Sequence, residues 1–235
     1  MSERVPFVNG VPCSDSFYKR EVYMQSYTKM RSTRYNDVIM KVIPGHFVTP
    51  NSHINYYIDM TTMKTRQNEA KAAARAMSED YVASTVVDTI VCMDGMEVIG
   101  AYMAEELTKA GIMSMNAHKT IYIMSPEYDL AGQMIVRENN QMMVRGKHCL
   151  LLLASATTGQ TIARASESIN YYGGTIEGIS AIYSAVSKVM GYQIHALYTN
   201  ADLPDYKSYP PSKCKMCQSN QPIDAICNGF GYSRL

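Results

Sequence analysis

The sequence predicts an α/β protein with a mostly parallel sheet flanked by helices, and three observations support this prediction. Short apolar segments alternate with helix-forming segments over residues 86–199, the order expected when crossover helices join parallel strands. The apolar segments, such as "CLLLL" at 149–153, have no polar alternation, as expected for strands buried on both faces. A length of 235 residues and a hydrophobic share of 46% are sufficient for one large core with a small addition.

The elements divide the chain into three parts. Residues 1–60 hold a predicted helix from about Ser16 to Met30 and a loop at 45–60 that leads into a strand. Residues 61–202 form the α/β core, and residues 203–235 form a short tail with a Cys-x-x-Cys pair. In the core the sequence predicts helix 61–83, strand 86–94, helix 96–111, strand 119–125, strand 149–153, helix 160–172, strand 175–183, a short helix 184–190 and strand 192–199. Residues 126–147 are predicted to be a long loop or hairpin, a length that is unusual unless the segment is functional.

Composition excludes several classes of partner. The net charge is +1, so the chain has no field that would attract nucleic acid or an anionic membrane. No apolar run approaches the ~20 residues that span a bilayer, and "MSERVPFVNG" lacks the order of a signal peptide. Six scattered cysteines are typical of reduced thiols. We therefore expect a cytoplasmic protein that binds a small molecule, without nucleic acid or membrane partners.

The stretch "HCLLLLASATTGQTIARASESINYYGG" (148–174) has the pattern of a buried strand, a phosphate loop and a helix N-terminus. Gly159 permits a tight turn close to a ligand, and the amides at the start of the helix favour an anion. Hydroxyls of Thr157, Thr158 and Thr161 add donors. We predict a 5′-phosphate site over the residues Ser155, Ala156, Thr157, Thr158, Gly159, Gln160 and Thr161. The alternative is an ordinary strand-to-helix turn capped by threonine.

These motifs resemble those of the type I phosphoribosyltransferases, and of the orotate phosphoribosyltransferases in particular. The family's phosphate loop ends in Thr-Thr-Gly-x-Ser/Thr, matched by Thr157–Thr161. "GHFVTPNSHINYYID" is similar to its N-terminal segment, "VCMDGMEVIGAYMAEEL" to its pyrophosphate loop and helix, and "SYPPSKCKMCQSNQPI" to the ending of some members. The resemblance covers most of residues 45–220 and implies a hood-like N-terminal segment, the substrate phosphoribosyl pyrophosphate (PRPP), Mg²⁺, a homodimer and a role in pyrimidine nucleotide metabolism.

Four positions depart from the family pattern. The family's two acidic residues correspond to Leu153 and Ala154, which cannot contact ribose hydroxyls or a metal shell. The pyrophosphate loop reads Asp94, Gly95, Met96, Glu97, and the Glu97 carboxylate would repel a diphosphate. The lysines of the mobile loop are missing. The arginine that would meet the carboxylate of orotate corresponds to about Ser184 or Ala185.

The remaining charged residues give the candidates for catalysis. If the chain is an enzyme, Asp94 would help to hold Mg²⁺ through water, and Arg137 and Lys119 are the basic candidates near strand ends. The charged cluster at 64–80 is interpreted as the solvated face of a helix.

The tail contains a candidate zinc site. Cys214 and Cys217 have zinc-ligand spacing, and Cys227 is a third candidate. A closed site needs a fourth ligand, for which Cys13, His195 or another subunit would be needed; the alternative is a set of reduced thiols. His46 and His53 flank the "GHFVTPNSH" loop. The resemblance implies that this loop lies near the base of the substrate, where a histidine would transfer protons. The alternative is that both are exposed loop histidines without a function.

Two functions follow from these patterns. The first is a divergent phosphoribosyltransferase that uses PRPP and Mg²⁺. The second is a regulatory protein that binds a nucleoside monophosphate or ribose 5-phosphate and has lost catalysis. A bare structural domain without a ligand is the third reading.

Overall fold

The computed structural model describes residues 7–8, 11–12, 27–32, 34–109, 111, 114–117, 119–130 and 132–235. The described strands are β1 (Phe7–Val8), β2 (Val11–Pro12), β3 (Thr28–Arg31), β4 (Ile39–Val48), β5 (His53–Asp59), β6 (Thr89–Cys92), β7 (Tyr122–Met124), β8 (Glu127–Tyr128), β9 (Met134–Ile135), β10 (His148–Ala156), β11 (Thr175–Ser184), β12 (Lys188–Val189), β13 (Tyr192–Thr199), β14 (Ser208–Tyr209), β15 (Ala225–Asn228) and β16 (Gly231–Arg234). The described α-helices are α1 (Thr61–Thr65), α2 (Gln67–Ser78), α3 (Glu97–Thr108), α4 (Gln160–Tyr171) and α5 (Lys215–Gln218). Short 3₁₀ turns cover Glu138–Met143 and Pro211–Lys213.

The core sheet confirms the predicted fold class. Its strand order is β12-β13-β11-β10-β6-β7, and the neighbours from β13 to β7 are parallel. Side chains of β10 alternate between two cores: Leu150 and Leu152 lie in the core that includes α2 and α3, and Leu151 and Leu153 in the core that includes α4. All four leucines have no solvent exposure, which explains the unbroken apolar run in the sequence.

The second sheet, here called the hood sheet, combines both ends of the chain. Its order is β14-β5-β4-β15-β16, with β3 also paired to β4. Three of these strands belong to residues 203–235, so the tail predicted as a separate segment is built into the hood sheet. Backbone pairing of β15 with β4 and of β14 with β5 holds it there.

Three predicted helices are different in the structure. The helix predicted from about Ser16 lies largely outside the described residues, and its last residues form β3, which pairs antiparallel with β4. The helix at 61–83 is interrupted by the extended backbone of Arg66 and ends at Ser78. The helix predicted at 184–190 is instead β12, because Met190 and Gly191, with φ of 50° and 91°, make a two-residue hairpin turn into β13.

The predicted segment 126–147 is a hairpin followed by a 3₁₀ turn. β8 pairs with β9, and Arg137 donates to the Glu127 carboxylate across its base with an Nε–Oε2 distance of 2.7 Å. No helix among the described residues is long and apolar enough to cross a membrane.

Candidate functional site

A cavity of about 300 Å³ lies at the carboxyl ends of the core strands. This is the edge where open parallel sheets bind ligands. Its floor is the end of β10 and the start of α4, and its rim is formed by the turn at 49–52 in the hood sheet and by the turn at 228–230 between β15 and β16. The tail and the N-terminal part of the chain therefore both close over the carboxyl edge of the core.

The predicted phosphate loop, residues 155–161, lines this cavity throughout. Gly159 is the N-cap of α4 and has a left-handed backbone, with φ 77° and ψ 0°. A Cβ atom at this position would lie 2.5 Å from Cγ2 of Val189, so only glycine fits both the torsion and the space.

The start of α4 leaves backbone donors available beside the cavity. The first backbone bond of the helix runs from the Ala163 amide to the Gly159 carbonyl, at 2.9 Å. The amides of Gln160, Thr161 and Ile162 thus have no partner within the helix, and the helix dipole adds to their positive potential. Thr158 and Thr161 are exposed at the same place, so their hydroxyls can add donors.

The strand end that leads into the loop is apolar. Leu153 and Ala154, at the positions of the family's acidic pair, are 0% and 4% exposed and line the cavity. Four tyrosines, Tyr56, Tyr57, Tyr183 and Tyr206, also line the cavity, and all but Tyr56 are buried. This wall favours stacking and apolar contact over the coordination of a hydrated metal.

Asp94 and Gly95 follow β6, at the predicted pyrophosphate-loop position. Both have left-handed backbones, with φ of 54° and 77°. Asp94 lines the cavity, whereas Gly95 lies beneath Phe230, to whose Cε1 an added Cβ would be 3.7 Å. Gly229 approaches so closely that a Cβ there would lie 2.6 Å from Cβ of Asp94. The turn of the tail hairpin therefore covers the loop that binds diphosphate in the family the sequence resembles.

The other two residues of this loop point elsewhere. Met96 is fully buried and caps the start of α3. Glu97 accepts a hydrogen bond from Ser125 Oγ at 2.6 Å, on the side of β7. Neither residue lines the cavity.

Lys64 was missed from the sequence, where it was interpreted as part of a solvated helix face. It is only 6% exposed and lines the cavity. Its Nζ donates to the carbonyl oxygen of Asp94 at 2.7 Å and to that of Gly229. Burial lowers the pKa of Lys64, and the Asp94 carboxylate acts in the opposite direction.

Lys64 and Asp94 are the only charged residues among those that line the cavity in the described chain. Burial raises the pKa of Asp94, while Lys64 opposes this rise. Lys64 makes no ion pair within 4 Å among the described residues. A buried ammonium without a carboxylate at contact distance favours an anionic ligand, because buried charges are normally paired.

Arg137 and Lys119 lie apart from the cavity. Arg137 is exposed and paired with Glu127 at the base of the β8–β9 hairpin. Lys119 is exposed and precedes β7, so it lies at the amino end of a parallel strand, opposite the cavity. Both residues were predicted because they are close to strand ends in the sequence. That closeness does not tell whether a residue lies at the amino or the carboxyl edge of the sheet.

Two histidines of the hood sheet join the cysteine pair of the tail. His46 and His53 are 0% and 8% exposed, in contrast to the prediction of exposed loop residues. Their ring nitrogens lie with the sulfurs of Cys214 and Cys217 in one cluster, whose ligand atoms are all within 4.8 Å of one another. Cys227 lies outside this cluster, in β15, and lines the cavity. All five described cysteines are free thiols.

Known proteins share this fold at low sequence identity. One of them is Leishmania donovani UMP synthase, with a TM-score of 0.50 and 15% identity over 77% of this chain and 36% of that one. Orotate phosphoribosyltransferase from Aeropyrum pernix has a TM-score of 0.48 and 16% identity, covering 69% and 90%. The Mycobacterium tuberculosis orotate phosphoribosyltransferase in complex with PRPP has a TM-score of 0.45 and 16% identity, covering 63% and 82%. No family model and no curated protein matches the sequence.

Proposed function

We propose that this chain, which has the fold of the type I phosphoribosyltransferases, binds the 5′-phosphate of a ribose 5-phosphate compound of the nucleoside monophosphate class. The observation that carries the proposal is the loop at 155–161, which opens on the cavity with free helix amides and threonine hydroxyls. Such helix starts bind phosphate through backbone donors and the helix dipole.

The rest of the cavity supports recognition of a nucleoside by stacking. Tyr56, the least buried of the lining tyrosines, would contact the base, and the apolar pair Leu153 and Ala154 would lie beside the ribose. Orotate is not favoured as that base, because Ser184 donates its hydroxyl to the Val186 carbonyl at 2.6 Å and supplies no cation for a carboxylate.

Phosphoribosyl transfer from PRPP is the second candidate function, and Lys64 favours it. An ammonium has three protons, and two of those of Lys64 point at the carbonyls of Asp94 and Gly229. The third has no hydrogen-bond acceptor among the described residues, although Nζ lies 5.9 Å from the centre of the Phe230 ring. It would bind a diphosphate oxygen, which would compensate the buried charge.

Mg²⁺ fits this second candidate only in part. Asp94 is the one carboxylate among the described lining residues, so the ion would be held by Asp94, water and ligand phosphates. When bound, Mg²⁺ would neutralise charge on the diphosphate. Lys64 would bind and orient the same group, and the loop at 155–161 would hold the 5′-phosphate at the opposite end.

Titration calorimetry tests the proposal with three probes: ribose 5-phosphate, a panel of nucleoside monophosphates, and PRPP with and without Mg²⁺. We expect measurable heat with at least one monophosphate, and weaker heat with ribose 5-phosphate because the base contacts are then absent. Absence of binding by every phosphate probe contradicts the proposal. PRPP binding that is far tighter than monophosphate binding, together with turnover of a base, establishes the transferase instead.

A charge-removing substitution separates the two candidates. Lys64→Gln keeps donors for the Asp94 and Gly229 carbonyls but removes the cation, so PRPP affinity should fall about 10- to 100-fold if Lys64 contacts the diphosphate. Monophosphate affinity should change little. Lys71→Gln is the matched control, because Lys71 is exposed on α2 and only 3.9 Å from the Glu105 carboxylate. If the affinities for PRPP and for the monophosphate fall equally, Lys64 contacts a group that both ligands carry.

Two further expectations stay predictions. A cytoplasmic location agrees with the free thiols of the described cysteines. The homodimer implied by the sequence resemblance is checked by sedimentation velocity of the full chain.

A further inference from the structure

We propose that His46, His53, Cys214 and Cys217 form a closed, four-ligand structural zinc site that fastens the tail to the hood sheet. The four side chains come from two distant parts of the chain. His46 lies in β4 and His53 begins β5, whereas Cys214 is the N-cap of α5 and Cys217 lies within that helix. The Cys-x-x-Cys spacing places both sulfurs on the side of α5 that faces the histidines.

The distances between ligand atoms agree with a tetrahedron. A zinc ion with ordinary bond lengths separates a sulfur from a nitrogen by about 3.5 Å and two nitrogens by about 3.4 Å. Nε2 of His46 is 3.6 Å from Sγ of Cys214 and 3.7 Å from Sγ of Cys217. Nδ1 of His53 is 3.3 Å from Sγ of Cys217 and 3.0 Å from Nε2 of His46.

The neighbours of the cluster orient its ligands. Nδ1 of His46 is 3.0 Å from the carbonyl oxygen of Gln221, and the proton on Nδ1 can be donated to it. This bond selects the tautomer in which Nε2 carries a lone pair directed into the cluster, the usual outer-shell arrangement of a metal-bound histidine. The backbone amide of His46 also donates to Oδ2 of Asp224, at 2.8 Å, which fixes β4 against the chain that leads into β15.

The donor set indicates zinc and a structural role. Two thiolates and two imidazoles in a tetrahedron are typical of Zn²⁺. Four protein ligands leave no position for water or substrate, so the site is not suited to metal catalysis. His46, His53 and Cys214 are buried, whereas Cys217 is exposed and provides an entry path for the ion.

The position of the cluster connects it to the cavity. The turn between His46 and His53 contributes Thr49–Ser52 to the cavity rim, and the tail beyond Cys217 contributes Asn228–Phe230. A metal at this cluster would therefore fix both sides of the rim. This consequence rests on the proposed function: loss of the metal should weaken nucleotide binding, whereas the metal content itself does not depend on any ligand.

Metal analysis of the full chain tests the site directly. Protein produced with zinc in the medium and then desalted should contain one equivalent of zinc by mass spectrometry. Replacement by Co²⁺ should give the intense visible bands of tetrahedral cobalt and a thiolate charge-transfer band. Absence of both zinc and cobalt binding under reducing conditions overturns the proposal.

Variants assign the ligands. Cys217→Ser, at the exposed position, should fold but lose the metal, and His53→Gln should do the same. Cys227→Ser is the matched control in the same tail and should keep it. Chelation should lower the Tm of the wild type and leave that of Cys217→Ser unchanged. Retention of metal by both ligand variants, or its loss from Cys227→Ser, contradicts the assignment.

Discussion

Replacing Gly159 with alanine is expected to abolish the proposed phosphate binding and to lower the free energy of unfolding by about 2–4 kcal/mol. The residue has a φ of 77°, which an L side chain adopts at a cost of about 1–2 kcal/mol. The new Cβ would also lie 2.5 Å from Cγ2 of Val189, so β12 or the loop must move. Either movement turns the amides of α4 away from the position of the phosphate. Urea unfolding and calorimetry with a nucleoside monophosphate measure the two effects.

Gly146→Ala is the matched control for this prediction. Gly146 has a similar φ of 67°, but an added Cβ would have no heavy atom within 4 Å among its described surroundings. It precedes β10 at the edge of the sheet opposite the cavity. We expect a loss of about 1–2 kcal/mol from backbone strain alone and unchanged ligand affinity. Equal ligand affinity in Gly159→Ala and the wild type would exclude the loop as the phosphate site.

Replacing Leu153 with aspartate is expected to destabilise the protein by at least about 4 kcal/mol at pH 7. This change restores an acidic residue where the family the sequence resembles has one. Leu153 has no solvent exposure and packs in the core that includes Ile162 and Ile169. A carboxylate there loses its hydration without gaining a partner, so the folded state would hold it protonated.

The pH dependence of this variant follows from that raised pKa. In the unfolded chain the new carboxyl titrates at its ordinary value of about 3.9, whereas in the folded chain it titrates higher. The contribution of this carboxyl to stability should therefore be greatest at low pH and fall by about 1.4 kcal/mol per pH unit between its unfolded and its folded pKa. Leu153→Asn introduces a side chain with the volume of aspartate but no charge, so its stability should lack this slope. If the stability of the two variants depends on pH in the same way, position 153 is solvated. A polar side chain there could then contact a ribose hydroxyl.

Prediction from sequence was most successful where the signal is local. The loop at 155–161 combines a buried strand, a glycine that must be left-handed and a helix start within a few residues, so neighbouring residues alone specify its shape. The leucines of β10 were assigned correctly because burial on both faces requires an unbroken apolar run. The hairpin at 188–193 was predicted as a helix because its turn has Met190 at a position with a left-handed backbone. A methionine rarely adopts that backbone, so the sequence did not indicate the turn between Met190 and Gly191.

Residues whose roles depend on distant contacts were misassigned. Lys64 resembles any lysine on a charged helix, and only the approach of Asp94 and Gly229, 30 and 165 positions away, shows that it is buried. Lys119 and Arg137 were chosen by their proximity to strand ends. Which end of a strand faces the cavity depends on how the sheet is assembled.

The chain's own pattern was sufficient to specify the α/β core, the shape of the loop at 155–161 and the cysteine pair, because strand, turn, helix cap and Cys-x-x-Cys spacing are all short-range properties. The assembled fold was needed to bring His46 within 3.6 Å of Cys214, 168 positions later in the chain. It was also needed to place the tail in the hood sheet and to cover Asp94 with Gly229 and Phe230. These contacts arise when residues 28–59 and 208–234 pair in one sheet at the carboxyl edge of the core, and no local pattern encodes the meeting of segments so far apart in sequence.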